Sequence, residues 1–497
     1  MDGRVKPGQD VGVSMGHFHR ELELIQHLEH ADSVAPSEMP SSRQTQATDF
    51  HSPRKIVRTI LLSGAIVAVS INCLALSGPP TAWAELSSAC ETKTATEYTM
   101  VIQSPCSPTI VKANQTLNPS LLNIAITDTN ATVHPAIIPV QVQAPGIVNV
   151  EIWTHNKMAT LLVNDGTGTF RGQLDLSSEP NGPIVMAINA WNTPPGDNSY
   201  TVNLAAMMTL FVIGGEDAVI PTPVAAQEMN LQWSDEFNSL SAIPCKPGTG
   251  TWPKCTRPTA SDGFTWYENK PNGGDFGDAA FEHTDSHYNP YTIKNGFLRI
   301  RSQYDPNYAD PNGYGRHWYS GLLASAFPDG TTNAPGLANG YYEARILVPN
   351  AATSDKSKSG GTWPAFWMMD LHDFRKRATG SLEVDITEEY GHDPYYTQSG
   401  IVAYRTATGG GWIYHAHPGP DLTCDFHRHG LLITDTAVTY YFDDQPIGSA
   451  ARPALQNNPP VDWFLMLDLA MGSGWPVNPP PAGYFDMWID YVKYYVP

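Results

Sequence analysis

Along much of this chain, apolar and polar positions alternate with a period of two in short runs separated by Gly, Pro, Asn and Asp. The clearest runs are 137–142, 148–153, 184–188 and 204–213 in the first half, and 340–348, 437–442 and 487–496 in the second. Alternation puts the apolar side chains on one face of a β-strand, and the turn residues between runs reverse the chain. The pattern predicts an all-β protein of two bodies. Residues 86–214 read as an immunoglobulin-like β-sandwich, an accessory domain with no catalytic constellation; its Trp153 and Trp191 either pack in a core or stack on a sugar. Residues 215–228, with Pro221 and Pro223, read as a short stiff linker. Residues 229–497 read as a larger two-sheet sandwich.

Composition narrows the class. The 497 residues include 41 Gly and 42 Pro with no repeat period, which argues against helix bundles and collagen. A net charge of −20, from 29 Lys and Arg against 49 Asp and Glu, disfavours nucleic acid and anionic membrane surfaces as partners. The second body holds ten of the thirteen Trp, a density that suits either a large core or a surface that stacks on sugar rings.

Residues 1–84 read as a leader. An apolar run at 59–76 follows Arg54, Lys55 and Arg58 and precedes Pro79, Pro80 and the small-residue stretch Ala82-Trp83-Ala84. This order matches a secretory signal cleaved after Ala84, with translation starting nearer Met39. The alternative is an uncleaved single membrane anchor, the one case in which a membrane would be a partner. A secreted or periplasmic, monomeric protein is expected. Cys90 with Cys106 and Cys245 with Cys255 each close a short loop that a disulfide could tie in an oxidising compartment; Cys73 lies in the leader and Cys424 is left over. The alternative is that all are buried thiols.

The segment 380–391, Gly-Ser-Leu-Glu-Val-Asp-Ile-Thr-Glu-Glu-Tyr-Gly, concentrates the candidate chemistry. On a strand, Val384 and Ile386 face a core while Glu383 and Asp385 share the other face. Glu388 has the wrong parity to join them unless a β-bulge near Thr387 adds one residue. Glu389 has the right parity without a bulge, but six strand residues place it about 20 Å from Glu383, too far for a carboxyl pair working on one bond. With the bulge, Glu388 sits at the equivalent of four strand residues, about 13 Å, from which inclined side chains converge across a sugar. An acidic edge strand that discourages aggregation is the plain alternative.

These residues sit among others in a telling order: Trp233-Ser234-Asp235-Glu236-Phe237-Asn238, Gly340-Tyr341-Tyr342-Glu343-Ala344-Arg345, Gly361-Thr362-Trp363-Pro364-Ala365-Phe366-Trp367-Met368, the Glu-x-Asp-x-x-Glu spacing of Glu383, Asp385 and Glu388, then Phe426-His427-Arg428-His429-Gly430 and Ile489-Asp490-Tyr491-Val492. In this, 229–497 resembles glycoside hydrolase family 16, laminarinase-like members with a bulged signature. The resemblance implies a concanavalin-like β-jelly roll that cuts internal β-1,3- or β-1,3/1,4-linkages of glucan or a related exopolysaccharide. It assigns Glu383 as nucleophile, Glu388 as acid/base and Asp385 as the carboxyl that tunes the nucleophile. Trp363, Trp367, Trp318, Trp412 and His415 are candidate substrate contacts. No cofactor is required; the resemblance also implies a structural calcium with Asp490 as side-chain ligand. Leu382 and Thr387 depart from the family's usual Gly and Met, and the stretches 351–360 and 368–374 differ from typical β-glucanases, which leaves the substrate open. A transglycosylase and a silent polysaccharide-binding protein are the rivals. A metal cluster of His415, His417, His427 and His429 with Cys424 and Asp425 is a further alternative, without a closed zinc spacing.

Overall fold

The protein is described here by a computed structural model covering residues 100–102, 110–113, 130–143, 147–155, 157–191, 204–244, 246–247, 255–256, 258–334, 338–352, 356–371, 380–406, 409–418, 421–454, 461–480 and 483–497. The leader, its apolar run and Cys73, Cys90 and Cys106 lie outside these residues. So do the side chains of Cys245, Cys255, Trp191 and Trp412. Among the described residues no helix is long and apolar enough to cross a membrane.

The chain is all-β, interrupted among the described residues by single turns of 3-10 helix. The first body is built on a nine-stranded sheet that closes around its own core, in which Val140, Ile152, Phe170, Leu174, Met186 and Leu210 are all within 1% of complete burial. The alternating runs predict these strands well: 137–142 falls within Ile137–Gln143 and 204–213 within one residue of Leu204–Val212.

The second body is a sandwich of a ten-stranded and an eight-stranded sheet. In the eight-stranded sheet the strands Trp463–Met471, Thr362–Asp370, Ser381–Glu389, Tyr396–Thr406 and Gly409–Pro418 lie side by side, each antiparallel to the next. Alternate residues of these strands, including Phe366, Met368, Leu382, Val384, Leu465 and Leu467, meet Leu298, Ile300, Leu431, Ile489 and Val492 of the ten-stranded sheet in one buried core. Each such fully buried aliphatic side chain contributes up to about 1.5–3 kcal/mol. The inner row fixes the register, because a slip of one residue would turn every apolar side chain outward.

The linker is not a free spacer. Its 3-10 turn Val224–Ala226 packs Ala226 against Tyr341 and Tyr495, Val224 donates its N–H to Asp444 Oδ1 at 3.0 Å, and Arg428 donates to the Pro221 carbonyl. The two bodies also share a buried apolar cluster: Val185 and Phe211 from the first, Phe297, Leu347 and Trp488 from the second. Beside it, His155 bridges Glu179 at 2.9 Å and Asp425 at 2.8 Å, and Lys294 Nζ reaches Thr132 Oγ1 at 2.7 Å. Cys424, a free thiol, packs at the edge of this junction.

Asp490 does not fit the calcium reading. Its Oδ2 accepts from Arg345 Nη1 at 2.7 Å, so a cation already neutralises the carboxylate, and a divalent ion there would meet the guanidinium's charge. The partner comes from the neighbouring strand Gly340–Leu347, a contact that local sequence does not reveal.

Candidate active site

The strand Ser381–Glu389 forms because Leu382, Val384 and Ile386 are apolar at every second position and disappear into the core. Glu383 and Asp385 therefore project from the outer face. Opposite them on Tyr396–Thr406 stand Val402 and Gly400; the next pair in register is Glu388 with Gln398. Three residues on one strand thus oppose two on its neighbour. On the other side, Asp385 faces Trp367 and Thr387 faces Phe366, so the extra residue lies at Ile386 and Thr387.

Hydroxyls hold the bulge. Ser399 Oγ donates to the Ile386 carbonyl at 2.8 Å, Thr387 and Thr397 share a hydrogen bond at 2.6 Å, and Thr397 Oγ1 donates to the Glu388 carbonyl at 3.3 Å. The bulge turns Glu388 outward and Glu389 inward. Glu389 is buried against His429 of the opposite sheet, Oε1 to Nε2 at 3.5 Å. Burial drives both groups toward their neutral forms, Glu389 up to about 8 and His429 down to about 3.

Glu383 and Glu388 stand opposite Val402 and Gln398, four residues apart on a regular strand and so about 13 Å between Cα atoms. Glu383 Oε2 accepts from the Tyr404 hydroxyl at 3.2 Å. Glu388 accepts from Trp363 Nε1 at 3.1 Å and Gln398 Nε2 at 3.4 Å, and the Tyr390 hydroxyl is a third donor. Burial raises both carboxyls to about 7, and the charge of Glu388 adds to the shift of Glu383; Tyr404 and the Lys270 ammonium oppose it. The two titrate as a pair, and burial together with their mutual repulsion favours a proton on one of them. One carboxyl can then give a proton while the other attacks.

Aromatic side chains surround the pair. Trp363 meets Phe276 edge-on at 5.4 Å and lies stacked with Tyr390 at 6.4 Å. Trp475, 43% exposed, stacks on His392 at 3.8 Å. Gly391, next to Tyr390, lies so close to Thr362 that a Cβ there would come within 2.0 Å of its Oγ1. Trp367 shares the outer face but is buried, and its Nε1 donates to Asp468 Oδ1 at 2.7 Å; it forms floor rather than an exposed stacking surface. Asp468 also accepts from the Ala470 N–H, and burial raises it to about 8.

Two of the expected contacts lie elsewhere. Trp318 is in the core between the sheets, stacked on Phe485 at 5.9 Å. His415 pairs in register with Ser399, an inward position, and packs against Gly448 and Tyr440. Trp412 pairs with Val402 and so shares the ladder rung of Glu383. The histidines considered as a metal cluster are dispersed: His427 bonds Asp443 at 2.7 Å, His429 faces Glu389, and Asp425 is taken by His155. Among the described residues no group of three or more His, Cys, Asp or Glu is placed to hold a metal ion.

Local sequence gave no sign of Tyr404, Gln398, Tyr390, Lys270 or Asp468 as neighbours of the acids. The usable signal was parity: Gln398, Gly400, Val402 and Tyr404 share one face of their strand.

Residues 337–493 match the family model of glycosyl hydrolases family 16. The matched segment lies within the second sandwich and includes the bulged strand. The chain is 27% identical over 277 residues to an endo-1,3-1,4-beta-glycanase, EglC, of Rhizobium meliloti, covering 53% of this chain and 51% of that protein. It is 28% identical over 308 residues to glucan endo-1,3-beta-glucosidase A1 of Niallia circulans, covering 56% and 40%. The chain therefore spans about half the length, or less, of these curated relatives. Among solved structures, the laminarinase catalytic domain of Thermotoga maritima aligns over 54% of this chain and 98% of its own, at 21% identity and a TM-score of 0.38.

Proposed function

We propose that the family 16 sandwich hydrolyses internal β-linkages of a 1,3- or mixed 1,3/1,4-linked glucan, or a related exopolysaccharide, with retention of anomeric configuration. One observation carries the reading: the bulged strand turns Glu383 and Glu388 to the same face, opposite Val402 and Gln398 of the neighbouring strand. In the first step Glu388 gives its proton to the glycosidic oxygen as Glu383 attacks the anomeric carbon. The bond to the leaving sugar breaks and a glycosyl ester forms. In the second, water attacks the same carbon, Glu388 takes its proton, and the ester bond to Glu383 breaks. Asp385, between the two on the same face, tunes the nucleophile. The glucan-cleaving names of the relatives support the substrate class.

In the same reading the chain is exported by its leader and works outside the cell as a monomer, with 86–214 an immunoglobulin-like accessory domain. Product profiling on laminarin, lichenan, xyloglucan and agarose tests the assignment. Oligosaccharides from laminarin or lichenan, abolished by Glu383→Gln, are expected; inactivity on all four would overturn the glucanase reading.

A further inference from the structure

The strand Tyr396–Thr406 touches both acids from the same side, with a different donor for each. Gln398 lies directly opposite Glu388 and gives it an amide N–H. That amide is itself oriented, because its Oε1 accepts the Tyr396 hydroxyl at 3.1 Å. Six residues on, Tyr404 shares the face of Gln398 and Val402 and leans back along the strand. Its register partner is Ser381, yet its hydroxyl reaches Glu383 Oε2.

The two donors do different chemistry. A phenol cannot be a charged donor, and here burial and the nearby carboxylates of Glu383, Asp385 and Glu388 hold Tyr404 firmly in its protonated form. Its hydrogen therefore favours a negative charge on Glu383 at all ordinary pH. Because it engages Oε2, it leaves Oε1 as the oxygen free to attack, and it fixes the rotation of the carboxyl plane about the Cγ–Cδ bond. When the ester forms through Oε1, Oε2 becomes its carbonyl oxygen and keeps the same partner. When water releases the sugar, charge returns to a carboxylate already solvated by the phenol.

We propose that Tyr404 is a positioning residue for the nucleophile: it selects Oε1 as the attacking oxygen and stabilises the negative charge on Glu383. The inference rests on the retaining reading given above. It makes Tyr404 act through Glu383 rather than on the sugar.

The test compares wild type, Tyr404→Phe, Gln398→Ala and Glu383→Gln on laminarin or lichenan, and follows covalent labelling of Glu383 by an epoxyalkyl β-glucoside. Tyr404→Phe keeps the ring and should unfold at nearly the wild-type temperature. It is expected to lower kcat by about tenfold or more with little change in KM, from loss of a hydrogen bond to a charged group. It should slow labelling of Glu383 in parallel and move the acid limb of the pH–rate profile upward, since Glu383 then holds its proton more tightly. Gln398→Ala should leave the labelling rate and the acid limb in place. An unchanged acid limb and labelling rate in Tyr404→Phe would overturn the proposal, as would an equal acid-limb shift in Gln398→Ala. Full activity in Glu383→Gln would instead overturn the underlying retaining mechanism, so the two failures are separable.

Discussion

Trp363 donates its indole N–H to Glu388 Oε1 at 3.1 Å. A residue that the sequence marks as a stacking platform is thus also a proton-affinity control. The donor stabilises the carboxylate, partly offsetting the burial that pushes Glu388 up to about 7. Trp363→Phe keeps an aromatic face and removes the donor, so Glu388 should stay protonated to higher pH. The alkaline limb of kcat against pH should rise by roughly one unit. A limb that stays in place would mean that the indole acts through stacking alone.

The bulge decides which of two adjacent glutamates faces the substrate. Deleting Thr387 removes the extra residue, and plain alternation then keeps Glu388 outward, four strand residues from Glu383, with Glu389 inward. Activity should stay well above that of Glu388→Gln. Ser399→Ala, which strips the hydroxyl from the bulge carbonyl, should cost about 1 kcal/mol of stability and leave Glu388 outward. Activity assays and thermal unfolding on both variants decide it; a folded deletion variant as inactive as Glu388→Gln would contradict the register.

Asp468 should make the fold lose stability as pH rises. Burial raises it from 3.8 to about 8, so its contribution is full below about pH 3.8 and disappears as pH rises through 8. Asp468→Asn cannot ionise. The difference in unfolding temperature, variant minus wild type, should therefore climb steadily between pH 4 and 8. Parallel curves would contradict the burial of this carboxyl.

His155 works in the opposite range. Hydrogen bonds to Asp425 and then Glu179 raise it to about 10, above its ordinary 6.5, so its stabilisation is fully present below pH 6.5 and lost as pH rises through 10. The side chain is 39% exposed, so solvent screens the effect and it should be modest. His155→Ala should unfold at lower temperature than wild type at pH 6, and the gap should close above pH 10.

How much was legible in the sequence follows from which contacts are local. The bulge was legible because plain alternation turns Glu388 inward and leaves Glu389 about 20 Å from Glu383, so only an extra residue brings a second glutamate within reach of one bond. The faces of Trp318 and His415 were not, because a short strand's parity carries meaning only against its neighbours, and those neighbours lie far along the chain. Trp318 borders Tyr304 and His415 borders Ser399, and both pairings turn the side chains inward. Asp490 reads as a free acid until Arg345 is placed beside it. Tyr404 and Asp468, about 20 and 80 residues beyond the acids, are brought to them by sheet order alone.

The most direct measurement is the anomeric form of the first sugars released from laminarin or lichenan, followed by proton NMR during the first minute before mutarotation. Two carboxyls acting through a glycosyl ester on Glu383 should release the β-anomer first, with the α-anomer appearing only later. Initial release of the α-anomer would contradict the retaining mechanism and with it the roles given to Glu383 and Glu388.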